Sequence, residues 1–250
     1  MTQVVPILRG MPAAEAPYSK KQVNRHGRRL RDMARGDPVT DELLEAAAAI
    51  DWWRARHARP LAKVNANLRY YVRKTGVDPE VTQRLKRFTT IVQKLRREPT
   101  MALSTMEDIG GVRAILPQQK HVDAIVADIR GQSRWNIRRV REYVDGRGPG
   151  PKEDGYRAVH VVVEKDGCFV EIQLRTPWQD TWAQSVEQDT RRLAQGLKFG
   201  EGPDDLREYY RMISEYLSMR EHHETPSEEF MQNLAKLYDA TRRYYNTESS

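Results

Sequence analysis

The chain has 250 residues, with 42 Lys and Arg against 35 Asp and Glu, a formal charge of +7 and a pI near 9.5. Its 39% hydrophobic content suffices for one core with appendages, and its basic balance points to an anionic partner, nucleotide or nucleic acid. A single cysteine excludes an intramolecular disulfide, and the six histidines have no partner cysteines at zinc-ligand spacing.

Residues 1–38 read as a basic lead-in, partly flexible, with a short helix around Val23–Met33 and a Gly-Asp-Pro break at its end. Val4–Leu8 is too short for a signal peptide and no stretch reaches bilayer length, so a cytoplasmic protein without membrane contact is expected. Helix is predicted from Thr40 to Arg56, where good helix formers follow an acidic first turn. Pro60 opens the next helix, and Leu61, Val64, Leu68, Tyr71 and Val72 recur on it at helical spacing as a core stripe. A third helix is predicted over Pro79–Arg97. Val81, Leu85, Phe88, Ile91, Val92 and Leu95 form its apolar side, and Arg84, Lys86, Arg87, Lys94, Arg96 and Arg97 its basic surface.

Beyond Pro99 the pattern changes to strands. Val112–Leu116 reads as a strand and Lys120–Ile129 as a helix; Asn136–Val144, Arg157–Glu164 and Phe169–Arg175 read as further strands. The last two flank a Lys165-Asp166-Gly167 turn, a strong hairpin signal. "DGRGPGPKEDG" (145–155) has a flexible loop's composition. Helices are predicted again at about 178–195, 203–223 and 226–245. The expected fold is α+β, with a mixed sheet at 39–200 flanked by N- and C-terminal helices and a helical extension at 201–250.

The strands carry ionisable residues at alternate positions, and in an alternating strand one face packs inward while the other stands free. If they share a sheet, Asp108 and Arg113 meet Tyr156, His160, Glu171, Gln173 and Arg175, a set suited to magnesium and a nucleotide. Asp108 precedes a glycine pair that lets backbone approach phosphate. The Tyr156 ring is available to stack on a purine, a task that needs the ring and not the hydroxyl. Cys168, among apolar strand residues, reads as a buried inert thiol.

The strings "RLKR" (Arg84–Arg87), "EDIGGVR" (Glu107–Arg113), "DGYRAVH" (Asp154–His160) and "VEIQLRT" (Val170–Thr176) resemble, in order and spacing, the synthetase domain of the RelA/SpoT family. The resemblance runs from about Trp52 to about Arg211. It implies a nucleotidyltransferase-like core that moves the β,γ-pyrophosphate of ATP onto a ribose 3′-hydroxyl with Mg2+. It further implies Asp108 as a catalytic metal ligand and Glu171 as a second ligand or the general base. Arg84, Lys86, Lys94 and Arg113 would bind ATP, and Tyr156, His160, Gln173 and Arg175 the acceptor. Two departures stand out: Arg87 replaces a common serine, and "WAQSVEQDTRR" lacks a histidine that many members carry there.

With no hydrolase or regulatory domain expected, the chain resembles the small synthetase-only members, which make guanosine alarmones from GDP or GTP or act as toxins on the 3′ CCA end of tRNA. The toxin resemblance leads, and it implies an antitoxin protein as partner. Arg191 and Arg192, with Lys20, Lys21, Arg25, Arg28 and Arg29, are the expected tRNA contacts. A noncatalytic nucleic-acid-binding module is the reading from another class, opposed by the retained Asp108 and Glu171. Oligomeric state is not legible.

Overall fold

The computed structural model describes residues 17–34, 37–132, 134–193, 196–197 and 201–245. Residues 1–16 of the expected lead-in lie outside them, as do 194–195 at the end of the helix expected to begin at 178. The chain divides into two compact units, one holding residues up to Arg56 together with Lys86–Met106, the other His57–Leu85 and Glu107 onward.

The first unit is helical. α1 (Lys20–Asp32) starts at a capping box in which Ser19 and Gln22 satisfy each other's backbone donors. α2 (Asp41–Arg56) and α4 (Phe88–Arg97) bury Ala46, Ala49, Ile50, Trp53, Ile91 and Leu95 with Val23 and Leu30 of α1. A Cβ at Gly27 would lie 3.0 Å from Leu103 Cβ, so glycine is what allows this close approach.

The second unit is built on a five-stranded mixed sheet in the order β1-β2-β5-β4-β3. Its strands are β1 (Glu80–Leu85), β2 (Gly110–Ile115), β3 (Asn136–Tyr143), β4 (Ala158–Lys165) and β5 (Cys168–Arg175). β2 and β5 are parallel and the other pairs antiparallel. One face carries Val112, Ala114, Val159, Val161, Val163, Val170, Ile172 and Leu174. These pack on α3 (Ala58–Lys74) and α5 (Gln119–Arg130) in one continuous core. Burying a side chain of this size is worth roughly 1.5–3 kcal/mol each, so this layer fixes the register that aims every alternate residue to the other face. Asp166 and Gly167 take positive φ, 51° and 71°, in the tight β4–β5 hairpin. α6 (Pro177–Arg192), α7 (Asp204–Glu221) and α8 (Glu228–Thr241) follow.

The α+β reading holds. The helix predicted over Pro79–Arg97 does not: Glu80–Leu85 is the edge strand β1, and helix begins only at Phe88. Val81, Leu85, Phe88 and Ile91 happen to be spaced for a helix. Pairing with β2 offers Glu80–Leu85 a ladder of backbone bonds and buries Val81 against the sheet core. Arg87, extended at φ −65° and ψ 144°, separates the two elements.

Candidate active site

The sheet register lines up the charged positions in rows. Arg84, Gly111, Glu171, Val162 and Arg139 are successive partners across the five strands, and Thr82, Arg113, Gln173, His160 and Arg141 form the next row. Paired residues share a face. Thus Arg84, Arg113, Glu171, Gln173 and His160 stand together on the face opposite the core.

Five side chains then close into a ring of hydrogen bonds. The Tyr156 hydroxyl lies 2.6 Å from His160 Nε2, and His160 Nδ1 lies 2.8 Å from Glu171 Oε1. Gln173 Nε2 donates to Glu171 Oε2 at 2.7 Å, and Arg175 donates from one nitrogen to Gln173 Oε1 at 3.2 Å and to the Tyr156 oxygen at 2.9 Å. Burial pushes the Tyr156 hydroxyl above its ordinary range, against the pull of Arg175, so it keeps its proton. It accepts from Arg175 and is hydrogen-bonded to His160 Nε2. His160 Nδ1 in turn faces Glu171 Oε1.

A second anchor comes from α6. Asp180 Oδ1 accepts from Arg175 at 3.0 Å and from Arg113 at 3.2 Å, and Asp180 Oδ2 accepts from Gln184. Asp180 is only 3% exposed. Burying one carboxylate beside two guanidinium groups offsets its charge and anchors both arginines. In sequence Asp180 reads as a first-turn helix acid behind the Thr176 capping box; its contact with Arg113, 67 residues away, leaves no local signal.

Around the ring, Tyr143, His160 and Trp182 meet the Tyr156 ring edge-to-face at 5.6–6.2 Å, and Lys152 Nζ lies 4.9 Å from its centroid. Tyr143, Lys152 and Trp182 were not singled out in the sequence. The loop carrying Lys152 is tied down by Arg147 to Asp123 at 2.8 Å and by Ser214, whose hydroxyl donates to the Gly155 carbonyl at 2.5 Å.

Asp108 sits in the turn just before β2, with one carboxylate oxygen buried. Arg84 is exposed on β1. Lys86 and Lys94 belong to the other unit, Lys86 directly after β1 and Lys94 in the last turn of α4. Arg191 and Arg192 end α6; Arg191 is 73% exposed, and Arg192 donates to the Tyr245 carbonyl at 3.1 Å. Cys168 is buried, as expected. No group of three metal-ligating side chains occurs among the described residues. An ion that takes one or two carboxylates and completes its shell with water and phosphate oxygens suits the hard oxygen donors of Asp108, which precedes the glycine pair, and Glu171, the cross-strand partner of Gly111. Among the described residues, no helix is long and apolar enough to cross a membrane.

Residues 83–191 match the model of the region found in RelA / SpoT proteins. An uncharacterized protein of Mycobacterium tuberculosis is 32% identical over 196 residues, 76% of this chain. The chain spans 65% of that relative's length, just under two thirds. A guanosine-3′,5′-bis(diphosphate) 3′-pyrophosphohydrolase of Borreliella burgdorferi is 28% identical over 124 residues, 49% of this chain and 18% of its own. Among solved structures, small alarmone synthetase 1 of Bacillus subtilis bound to its product pppGpp aligns with a TM-score of 0.57 at 21% identity, over 68% of this chain and 93% of its own. Small alarmone synthetase 2 of the same organism gives 0.56 at 23%, over 65% and 90%. A GTP pyrophosphokinase family protein of Streptococcus pneumoniae gives 0.57 at 21%, over 74% and 92%. The mixed sheet with its flanking helices is therefore the fold of the small alarmone synthetases, and residues 83–191 are similar to the region found in RelA / SpoT proteins.

Proposed function

We propose that the sheet face is the active centre of a pyrophosphokinase, which moves the β,γ-pyrophosphate of ATP onto a ribose 3′-hydroxyl. The observation that carries this reading is the closed Tyr156–His160–Glu171–Gln173–Arg175 ring, which holds one carboxylate in a fixed orientation beside Arg113 and Arg84. Glu171 takes the proton of the acceptor hydroxyl as its oxygen bonds to the β-phosphorus. The bond between that phosphorus and the α–β bridging oxygen breaks, and AMP leaves. Arg84 and Arg113 meet the charge of the triphosphate, and the fork of Arg175 is already committed to aligning Tyr156 and Gln173. Asp108 and Glu171 would hold Mg2+, which when bound neutralises charge on the transferred group. Lys86 and Lys94 keep the ATP role that the family resemblance gives them.

The acceptor we infer is the 3′ end of tRNA, with the protein acting as a growth-inhibiting toxin held by an antitoxin. The charge of +7 and the basic ends of α1 and α6 support a polyanion larger than a nucleotide. A guanosine acceptor is the second reading, favoured by the likeness to a synthetase bound to pppGpp. The test is to supply γ-labelled ATP with deacylated tRNA, periodate-oxidised tRNA, GDP or GTP. Labelling of intact but not oxidised tRNA is expected. Labelling of GDP or GTP alone replaces tRNA with the guanosine acceptor, and no transfer to any of them overturns the enzyme reading.

A further inference from the structure

A second concave site lies on the C-terminal helices. It is a cleft of about 430 Å3 lined by Tyr209, Tyr210, Tyr238 and Tyr245 together with Asp189 and Arg242. Asp189 lies nine residues beyond Asp180 on α6, about 14 Å along the helix, so the cleft is distinct from the sheet face.

Its chemistry is specific. Asp189 is 8% exposed, and its Oδ2 accepts from both the Tyr210 and the Tyr245 hydroxyl. Burial pushes both tyrosines up, so they keep their protons and remain donors to the carboxylate. Both bonds use Oδ2; among the described residues no side chain donates to Oδ1, which leaves an acceptor for a ligand N–H. The rings meet one another edge-to-face or tilted: Tyr209 and Tyr210 at 64° and 5.6 Å, Tyr209 and Tyr238 at 41° and 6.2 Å. Neither contact is a face-to-face stack, so π-faces remain to receive another ring. Tyr238 is 54% exposed and Arg242 is exposed at the rim.

Flat aromatic walls, a buried carboxylate acceptor and a guanidinium at the edge match one ligand class: a heteroaromatic base with N–H donors, attached to a phosphate. We propose that this cleft binds a nucleobase, with the ring against Tyr209 and Tyr238, its N–H edge on Asp189 and its phosphate toward Arg242. The base comes either from a free nucleotide or from an unpaired nucleotide of an RNA strand. The proposal stands independently of the chemistry on the sheet face.

The probe is an 8-azidopurine mononucleotide, cross-linked to the full chain by light and mapped by mass spectrometry. Label is expected on the tryptic peptide carrying Tyr238. Tyr238→Ala, at a half-exposed position, should melt with the wild type yet lose that label and bind about ten- to hundredfold more weakly, while Tyr238→Trp retains both. Unlabelled mononucleotides and a single-stranded RNA trinucleotide then compete for the site. Displacement by the trinucleotide at about tenfold lower concentration assigns the base to an RNA strand, and equal displacement assigns it to a free nucleotide. Failure of both to displace the probe overturns the proposal, as does label absent from the Tyr238 peptide or unchanged in Tyr238→Ala. Labelling with Glu171→Gln, which alters only the sheet face, separates this result from the fate of the catalytic reading.

Discussion

Two histidines, one in each unit, show how the same side chain is put to different ends. His26 in α1 is 1% exposed, its two ring nitrogens make no hydrogen bond, and it meets Tyr18 edge-to-face at 5.6 Å. Burial lowers its pKa, with Glu45 opposing and Arg25 and Arg29 assisting. His160 in β4 is bonded through both nitrogens, to Tyr156 and to Glu171. The first histidine serves as a packing ring and loses stability if charged. The second transmits orientation from a hydroxyl to a carboxylate. His160 is also less deeply buried, and its hydrogen-bond partners are what separate a working residue from a core one.

Changes at the His160 end of that comparison are expected to act on turnover. Glu171→Gln keeps the shape and the Gln173 contact but removes the base, and should lower kcat by about 10²–10⁴ with an unchanged melting temperature. Asp180→Ala strands Arg113 and Arg175 without their shared carboxylate. It should cost about 3–5 kcal/mol in chemical denaturation, because an uncompensated buried charge remains. An undiminished unfolding midpoint would show that the two arginines do not depend on it.

Tyr156→Phe sharpens the comparison further. The sequence suggested that only the ring matters, but the hydroxyl bonds both His160 and Arg175. Its removal should cost about 1–3 kcal/mol of stability by leaving those partners unsatisfied, together with a fall in kcat. Wild-type values for both would detach the hydroxyl from the network.

The smallest effect belongs to His26. Its folded pKa lies below the ordinary 6.5, so near and below that pH the unfolded chain binds a proton that the folded chain refuses. Unfolding free energy should therefore fall as pH drops through that range. His26→Leu should flatten the slope while turnover stays at the wild-type level. Loss of turnover in His26→Leu would erase the distinction between the two histidines.

The sheet was legible because Val159–Val163 is a β-branched run and Val170–Leu174 alternates with polar residues at a period of two that admits no helix. That pattern also assigned His160, Glu171 and Gln173 to one face, which the register bears out. β1 was misread because six residues at a sheet edge carry too little pattern to outweigh a helical spacing that continues into α4. Asp180 and the ring closure were illegible for another reason. Each depends on side chains apart in sequence, Arg113 reaching Asp180 across 67 residues and Arg175 reaching back to Tyr156 across 19, and neither leaves a local pattern.

The central claim is tested most directly by following both products from γ-labelled ATP: the labelled acceptor and AMP. The account predicts one AMP formed for each labelled 3′-diphosphate, with both lost together in Glu171→Gln protein that still melts with the wild type. Release of ADP, or undiminished transfer by Glu171→Gln, would contradict it.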